Sequence, residues 1–356
     1  MKKQVRVALL LAWAAVFALI GSAEAVKFKF EDLGNLGGGQ YQNMGQCGIN
    51  NAGQVVGSSY APDGNWYAFL KSPGQAMKEL PLFPGTTEAR ATCINNFGVI
   101  GGWYYNGFTR GCKWELGPGP GYRIIDPLGY QGIDYSIFHL NDAGFLVGQG
   151  PNPYYPAHHA MVITPGGEYQ DLCTNFPFSA ARGINDANTI VGAYSYWTEF
   201  GTLSISACIW TYAGGEFSGP TSLLCPADSA ASAINNQGQV VGSFNFSTNT
   251  PHGFLKSSGE DYQDLGPNTM AYDINDSGWI VGSSNGMACI WTPQGGLENP
   301  NSRVVNLPSG VALTSALAIN KRGEIAGESL INNFQGGVYK LTPVVETPAP
   351  FLLLLD

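Results

Sequence analysis

Charged side chains are scarce in this sequence. Only 17 of the 356 residues are lysine or arginine and 26 are aspartate or glutamate, about half the usual charged share of a soluble domain. The excess of acid gives a formal net charge of −9 at pH 7, which argues against nucleic acid or an anionic membrane surface as a partner. The low charge also argues against a coiled coil or a large helical bundle, which need abundant lysine and glutamate.

Short catalytic motifs are missing as well. The four histidines form no His-Glu-x-x-His pair, the seven cysteines form no haem-attachment motif, and no Gly-x-Ser-x-Gly elbow or phosphate loop occurs. We therefore predict no cofactor, no catalytic residue and no metal ligand. Weaker metal alternatives stay open, zinc at a histidine pair and calcium at acidic turn positions: His158, His159, Asp63, Asp142, Asp186 and Asp276.

Glycine and aromatic residues are abundant instead. The chain has 48 glycines, and phenylalanine, tyrosine and tryptophan make up 12% of it. Such a chain is too apolar to be disordered. The composition favours short β-strands joined by tight turns.

The N-terminus has the three parts of a secretory signal. Lys2, Lys3 and Arg6 form a basic start, an apolar run extends over residues 7–20, and small residues precede position 26. We predict a signal peptide at residues 1–25 and a secreted protein, extracellular or periplasmic. The alternative is an uncleaved membrane anchor, for which the apolar run is short. No later run is long enough to span a bilayer as a helix.

One short pattern recurs seven times: apolar residue, Asn, two variable residues, Gly, one variable residue, two apolar residues, Gly. The copies lie 40 to 50 residues apart. We number them repeats 1 to 7 by their asparagines: Asn50, Asn95, Asn141, Asn185, Asn235, Asn275 and Asn320. Each copy is preceded by an Asp-Leu-like element and followed by a small residue with large apolar neighbours, such as Ala68-Phe69-Leu70.

The pattern predicts a β-hairpin in every repeat. Asparagine favours the start of a turn, because its side chain bonds the backbone two residues on. The fourth position of the turn needs a positive φ, which glycine adopts freely and asparagine tolerates best among other residues. Glycine fills this position in six repeats and Asn188 fills it in repeat 4. The last glycine of the pattern is expected to allow close packing beside the inner strand.

Four short strands in about 45 residues match the period of propeller blades. We therefore predict an all-β fold, a seven-bladed β-propeller over residues 26–343, followed by a Pro/Leu-rich tail at residues 344–356. A linear β-solenoid is the alternative. The chain starts with an outer strand, around Phe28 to Leu33, and we expect this strand to complete the last blade, which removes an exposed sheet edge.

Repeat 1 resembles the bacterial extracellular HAF-repeat family. The resemblance lies in Asp32-Leu33-Gly34-Asn35-Leu36-Gly37-Gly38, Gly48-Ile49-Asn50-Asn51-Ala52-Gly53-Gln54-Val55-Val56-Gly57 and Ala68-Phe69-Leu70. The histidine of the family's His-Ala-Phe element stands only at His159 and His252, and cysteine replaces the phenylalanine in three repeats. The resemblance covers residues 27–343 and implies a secreted repeat protein. It brings no catalytic residues.

The seven cysteines fall into two groups. Cys112, Cys208 and Cys289 occupy the same apolar slot in different repeats, too far apart for a disulfide, so we predict that they are core residues. Any disulfide would come from the other four cysteines: Cys47, Cys93, Cys173 and Cys225.

Aromatic residues concentrate between the second and third strands of repeats 1 to 5. Flat rings on amide-rich loops resemble binding surfaces, and we predict a ligand site for a glycan or a protein surface there. The predicted ligand-binding residues are Tyr60, Trp66, Trp103, Tyr104, Tyr105, Tyr154, Tyr155, Tyr196 and Trp197. The alternative for these rings is packing between repeats.

Two other functions stay open at this point. A polysaccharide-acting hydrolase or lyase would use carboxylates on the same loops, with Glu88, Asp134, Glu199 and Asp228 as candidates. A structural component of a matrix or filament is the third possibility. The sequence does not distinguish oligomeric states.

Overall fold

The computed structural model describes residues 26–38, 45–119, 121–129, 134–151, 158–246, 250–332 and 334–344. The predicted signal peptide and all of the predicted tail except Val344 lie outside the described residues. Within them the only helix is a short 3₁₀ turn at Pro300–Ser302, and no helix there has the length and apolarity needed to cross a membrane.

The described residues form 28 β-strands. The N-terminal strand and the strands of repeats 1 to 3 are β1 (Lys27–Asp32), β2 (Gly48–Ile49), β3 (Val55–Tyr60), β4 (Trp66–Lys71), β5 (Lys78–Glu79), β6 (Glu88–Ile94), β7 (Ile100–Tyr105), β8 (Thr109–Leu116), β9 (Tyr122–Ile125), β10 (Ser136–Leu140), β11 (Leu146–Pro151), β12 (His158–Ile163) and β13 (Tyr169–Asp171). The strands of repeats 4 to 7 are β14 (Ser179–Ile184), β15 (Ile190–Trp197), β16 (Leu203–Ala213), β17 (Glu216–Ser222), β18 (Ala230–Ile234), β19 (Val240–Phe244), β20 (His252–Lys256), β21 (Tyr262–Pro267), β22 (Thr269–Ile274), β23 (Ile280–Ser284), β24 (Met287–Thr292), β25 (Gly296–Glu298), β26 (Val311–Ile319), β27 (Ile325–Ile331) and β28 (Phe334–Val344).

These strands pair into antiparallel sheets of four. Five four-stranded sheets are separate: β10 to β13, β14 to β17, β18 to β21, β22 to β25, and a sheet in the order β1-β28-β27-β26. The strands β2 to β9 form one eight-stranded sheet, because a single parallel pair, Trp66 with Glu88, joins β4 to β6. The prediction of an all-β chain of short hairpins is thus confirmed.

The N-terminal strand pairs with the last strand of the chain. Residues Lys27 to Asp32 of β1 run antiparallel to Val344 to Tyr339 of β28. The side-chain amide of Asn306 also bonds both the N–H and the carbonyl of Phe30, at 2.7 and 3.0 Å. The predicted pairing of the N-terminal strand with the last repeat is therefore confirmed.

Every Asn-x-x-Gly segment forms the predicted hairpin turn. The fourth residue has a positive φ in all seven repeats, between 60° and 88°, and this includes Asn188 at 60°. In repeat 4 the side-chain oxygen of Asn185 accepts hydrogen bonds from the N–H groups of Ala187 and Thr189, at 3.1 and 2.9 Å. The asparagine thus holds the turn that its position in the pattern predicts.

The closing glycine lies against the inner strand, as predicted. In repeat 4 a Cβ atom on Gly192 would overlap the carbonyl oxygen of Ala180. The same overlap with an inner-strand carbonyl occurs at five other closing glycines: Gly102, Gly148, Gly242, Gly282 and Gly327. No residue with a side chain fits there without moving the backbone, which explains why the pattern ends on glycine.

The core lies between neighbouring sheets, and indole N–H groups connect some of them. Trp114 and Trp210 are almost completely buried. Trp114 donates to the carbonyl of Pro81 at 2.8 Å, and Trp210 donates to that of Leu172 at 2.9 Å. Each bond joins a third strand to the end of the preceding repeat, so these tryptophans fix the distance between repeats as well as filling space.

All seven cysteines are free thiols. Cys112, Cys208 and Cys289 are buried in the core, as predicted, and burial raises the pKa of each of these thiols. The four cysteines that were candidates for a disulfide form none, and three of them are buried as well. They contribute to the core as small apolar side chains.

His159 and His252 each bond the aspartate of their own repeat. His159 Nδ1 lies 2.7 Å from Asp171 Oδ2, and His252 Nδ1 lies 2.9 Å from Asp264 Oδ2. In both repeats the pair connects the third strand to the Asp-Leu element twelve residues later. Other repeats place different pairs at this position, Arg110 with Asp126 in repeat 2 and Ser206 with Ser222 in repeat 4.

Candidate functional site

The seven repeat asparagines form a closed cycle of hydrogen bonds. The side-chain amide of each donates to the main-chain oxygen of the next, at distances of 2.9 to 3.2 Å. The order is Asn50, Asn95, Asn141, Asn185, Asn235, Asn275, Asn320 and back to Asn50. All seven side chains are buried. The cycle brings the seven turns to one end of the molecule, around a common centre.

The residues that follow these asparagines form a second, exposed cycle. The backbone N–H of one repeat donates to the side-chain oxygen of the next in six of seven steps, linking Asn51, Asn96, Asp142, Asp186, Asn236, Asp276 and Lys321. At the remaining step Lys321 offers no acceptor, and its ammonium instead lies 3.1 Å from Asp276. Burial acts to raise the pKa of Asp276, but hydrogen bonds from Asn236 and the ion pair with Lys321 together lower it.

An inner cavity of about 500 Å³ opens inside these two cycles. Besides the turn residues, it is lined by the residue three positions before each repeat asparagine: Cys47, Thr92, Phe138, Arg182, Ser232, Tyr272 and Leu317. In repeats 2 to 7 the strand pairing shifts register at this residue. The shift is a β-bulge, which turns the extra residue out of the ladder.

Two titratable side chains in the inner cavity have strongly shifted pKa values. Burial raises the pKa of Asp273 to about 6, although its oxygens accept bonds from the N–H groups of Ile274 and Ile319. Burial lowers the pKa of His139 to about 4, and the charge of Asp186 opposes this shift. His139 Nδ1 has no hydrogen-bond partner among the described residues. Both groups are therefore held in their neutral forms over a wider pH range than usual.

The predicted aromatic residues lie at the opposite end of the molecule from the inner cavity mouth. In a hairpin meander the turn between strands one and two and the turn between strands two and three are at opposite ends of the strands. Because the asparagine turns share one end, the tips between second and third strands share the other, which we call the distal end.

Three of the predicted ligand residues come together around an arginine. The guanidinium of Arg90 lies over the ring of Trp66 at 5.2 Å and over that of Trp103 at 5.5 Å. Tyr60 contacts Trp66 with ring centroids 5.5 Å apart. Glu88 Oε1 lies 2.7 Å from Arg90 Nε and forms an ion pair with it. Since Arg90 occupies one face of each tryptophan, this cluster connects repeats 1 and 2, in agreement with the packing alternative.

The remaining predicted rings differ in exposure. Tyr104 is 4% exposed and packs on Phe83, so its assignment as a ligand residue is corrected: it belongs to the core. Tyr196 is half-buried beside Tyr194. Tyr105 and Trp197 are exposed, Trp197 by 65%. Tyr154 and Tyr155 lie outside the described residues.

Two hairpin tips at the distal end carry exposed apolar groups. Phe108 follows Tyr105 in the turn between β7 and β8. Phe200 follows Trp197 in the turn between β15 and β16, and Leu203 is the first residue of β16. Phe200 is 88% exposed. Large apolar groups exposed on a rigid scaffold are features of interaction sites.

Among the four candidate catalytic carboxylates, Glu88 and Asp134 bond neighbouring groups, and Glu199 is exposed in the tip between Trp197 and Phe200. Glu88 pairs with Arg90 at 2.7 Å, and Asp134 accepts a hydrogen bond from the N–H of Thr109 at 2.9 Å. Asp228 has a positive φ of 52° in a connecting segment. In the part of the chain that the structure describes, no group of three or more His, Cys, Asp or Glu side chains is placed to hold a metal ion.

Sequence reasoning missed the inner cavity. Its lining residues stand at one fixed position of the repeat, and they differ from each other in charge and size. This variability at an otherwise regular position of the repeat is the sequence feature that could have indicated a binding site. No sequence pattern predicts the β-bulge that turns this residue toward the cavity.

Comparisons with known proteins support the fold. Residues 136–255 match a family model described as "Protein of unknown function (DUF3466)". No curated protein matches the chain. A puromycin-hydrolyzing peptidase of Mycobacterium tuberculosis is similar with a TM-score of 0.55 and 11% identity, over 91% of this chain and 54% of the peptidase. The chain thus spans about half the length of that enzyme.

Two further solved structures are more distant. The BP39L lectin of Burkholderia pseudomallei has a TM-score of 0.48 and 11% identity, over 90% of this chain and 96% of the lectin. A gluconolactonase of Xanthomonas campestris has a TM-score of 0.43 and 12% identity, over 91% and 97%. At 11% identity, the likeness to the peptidase concerns the fold alone, which is β-propeller-like.

Proposed function

We propose that this chain is a secreted, seven-bladed β-propeller of the HAF-repeat kind that binds carbohydrate at its distal end. Two features support seven blades arranged in a circle. The hydrogen bonds of the seven repeat asparagines return to their starting residue, and strand β1 pairs with β28 to complete the last four-stranded sheet. The chain then forms a rigid disc with the inner cavity mouth at one end and the aromatic tips at the other.

The exposure of Trp197 carries the binding proposal. Its ring is 65% exposed, at the tip of a hairpin whose pairing continues through Trp197 and Leu203. The hairpin is closed by hydrogen bonds between Thr198 and Thr202. An indole held on a rigid strand can stack on the flat face of a sugar, because little conformational entropy is lost when it binds. The neighbouring hydroxyl groups can bond sugar hydroxyls.

The weak charge of the distal tips favours a neutral ligand surface. Tyr105, Phe108, Trp197, Phe200 and Leu203 carry no charge, the charge beside Trp197 is the carboxylate of Glu199, and the chain as a whole is acidic. A polyanionic ligand would be repelled by the net charge. Two of the four carboxylates expected of a hydrolase, Glu88 and Asp134, bond an arginine and a backbone N–H instead, so binding is better supported than catalysis.

A glycan array tests this proposal. Purified protein is applied to immobilised neutral and acidic glycans, and bound protein is detected by fluorescence. We expect binding to at least one glycan, and we expect Trp197→Ala to reduce that signal at least tenfold. The matched control is Phe97→Ala, because Phe97 is 73% exposed but lies in the turn of Asn95 at the opposite end.

Both variants should unfold at the same temperature as the wild type, since both rings are exposed. Binding that survives in Trp197→Ala, or that is lost equally in Phe97→Ala, contradicts the proposal. A wild-type protein that binds no glycan, while it binds a protein surface through Trp197, contradicts it as well.

A further inference from the structure

We propose that the inner cavity binds a small monocarboxylate that carries a six-membered ring, with Arg182 and Ser232 as the residues that hold the carboxylate. This site lies at the end opposite the aromatic tips. It is therefore independent of the proposed carbohydrate surface. A cavity of about 500 Å³ is within the range of small-molecule sites, about 300 to 1,000 Å³.

Arg182 is the first observation. It lies between Ala181 and Gly183 at the register shift of β14, where it faces the inner cavity while both neighbours are buried. Its guanidinium has no hydrogen bond or ion pair with any residue that the structure describes. Its side chain is exposed to the open space of the cavity, although the surrounding protein lowers its pKa. A guanidinium that faces this space without a counter-ion can pair with an anion that enters the cavity.

Ser232 lies next to this arginine. It occupies the same position in repeat 5 that Arg182 occupies in repeat 4. The two inner strands approach so closely here that a Cβ atom on Gly183 would lie 3.1 Å from Ala233 Cα and 3.2 Å from the carbonyl oxygen of Ser232. The hydroxyl of Ser232 has no partner within the described ranges. It offers a second donor to a carboxylate that the planar guanidinium binds with two hydrogen bonds.

Two aromatic rings give the cavity flat walls. Phe138 and Tyr272 occupy the same repeat position on either side of Arg182 and Ser232 along the chain, and both are half-buried. The hydroxyl of Tyr272 bonds Ser283 at 3.0 Å, which fixes the orientation of its ring. Rings at the edge of a carboxylate site favour a ligand whose body is itself flat or cyclic.

The charges at the mouth limit the ligand to a single negative charge. The mouth carries three aspartates and one lysine, and two more carboxylates lie deeper: Asp142, Asp186, Asp276, Lys321, Asp273 and Glu328. Arg182 is the only cation inside the cavity that no described carboxylate pairs with. A dianion such as sulfate is repelled more strongly by these carboxylates than a monocarboxylate is, and one arginine neutralises only the monocarboxylate.

Isothermal titration calorimetry at pH 7 tests the proposal with two acids, D-glucuronate and benzoate. Their neutral counterparts are D-glucose and benzamide, and sulfate is the dianion. We expect at least one acid to bind, its neutral counterpart to bind at least tenfold more weakly, and sulfate to bind more weakly than the acid. Arg182→Leu should weaken binding of the acid at least tenfold, and Ser232→Ala should weaken it severalfold. Arg123→Leu, which removes an exposed arginine of an outer strand, should leave it unchanged.

Thermal unfolding gives an independent readout of the same site. Without ligand, Arg182→Leu should unfold at nearly the same temperature as the wild type, because the side chain is exposed to the cavity. The acid should raise the unfolding temperature of the wild type and not that of Arg182→Leu. The proposal is wrong if neither acid binds, if glucose or benzamide binds as tightly as its acid, if sulfate binds more tightly than the acid, or if Arg182→Leu binds the acid like the wild type.

Discussion

The side-chain amide of Asn320 donates a hydrogen bond of 2.9 Å to the main-chain oxygen of Asn50, which lies 270 residues earlier in the chain. This bond joins the last repeat to the first. The same asparagine accepts bonds from the N–H groups of Arg322 and Glu324 in its own turn. One side chain therefore fixes the local turn and the contact between repeats, and six other asparagines do the same.

The first prediction separates these two roles in repeat 4. Asn185→Asp keeps the side-chain oxygens that accept from Ala187 and Thr189, but it removes the N–H that bonds the carbonyl of Asn235 at 3.1 Å. A carboxylate also repels that carbonyl. We expect a loss of about 1–3 kcal/mol in the free energy of unfolding, measured by chemical denaturation. Asn185→Ala loses all three bonds and should cost more.

Gln237→Ala is the control for this pair, because Gln237 is an exposed residue of an equivalent turn. Its effect should stay within about 0.5 kcal/mol. Equal stability of Asn185→Asp and the wild type would show that the inter-repeat bond contributes little.

The second prediction concerns the closing glycine. Gly192→Ala places a methyl group on the carbonyl oxygen of Ala180, so the hairpin between β14 and β15 must open. We expect a loss of several kcal/mol or failure to fold, because a backbone contact cannot relax as a side chain does. Gly119→Ala is the control, since nothing lies within 4 Å of the added Cβ atom. Thermal unfolding of the two soluble proteins should show a large shift for the first and almost none for the second.

The third prediction concerns the N-terminal strand. Phe30 is 9% exposed and stacks on Tyr339 of β28 with ring centroids 6.2 Å apart. Phe30→Ala should destabilise the protein by about 3–5 kcal/mol, the usual cost of removing a buried aromatic ring. Lys29→Ala on the exposed face of the same strand should be nearly neutral in denaturant titration. Similar small effects for both would mean that β1 does not contribute to the stability of the last sheet.

The sequence predicted the parts of the fold that depend on backbone conformation. A positive φ is required at the fourth turn position, so glycine and Asn188 mark it, and the clash at Gly192 explains the end of the pattern. Contacts between repeats were not predictable in this way. Arg90 contacts the ring of Trp66 because β4 and β6 pair at one residue of each strand. No sequence pattern in either strand indicates this pairing.

The candidate sites show the same division. Trp197 is exposed and Tyr104 is buried, although both lie on strands rich in aromatic residues. Neighbouring side chains along a strand point to opposite faces of the sheet. The sequence did not indicate which face of the sheet is buried at either residue. The inner cavity depends on a bulge, and only the pairing in the folded sheets shows which residue is extra.

The last prediction follows from the raised pKa of Asp273, about 6 in the folded protein against an ordinary value of 3.8. Between these two values the folded state holds a proton that the unfolded state has released. The neutral carboxyl therefore stabilises the fold below about pH 4, and this contribution is lost as the pH rises through 6. At about 1.4 kcal/mol per pKa unit, the change is at most about 3 kcal/mol.

Asp273→Asn cannot ionise, so the variant isolates this effect. The free energy of unfolding of the wild type minus that of the variant should decrease from pH 4 to pH 7, measured by urea titration at each pH. Asp276→Asn is the control, because the pKa of Asp276 is lowered and the group stays ionised in both states above pH 5. Its difference from the wild type should be constant between pH 5 and 7. A constant difference for Asp273→Asn as well would mean that its carboxylate is as well solvated in the inner cavity as in the unfolded chain.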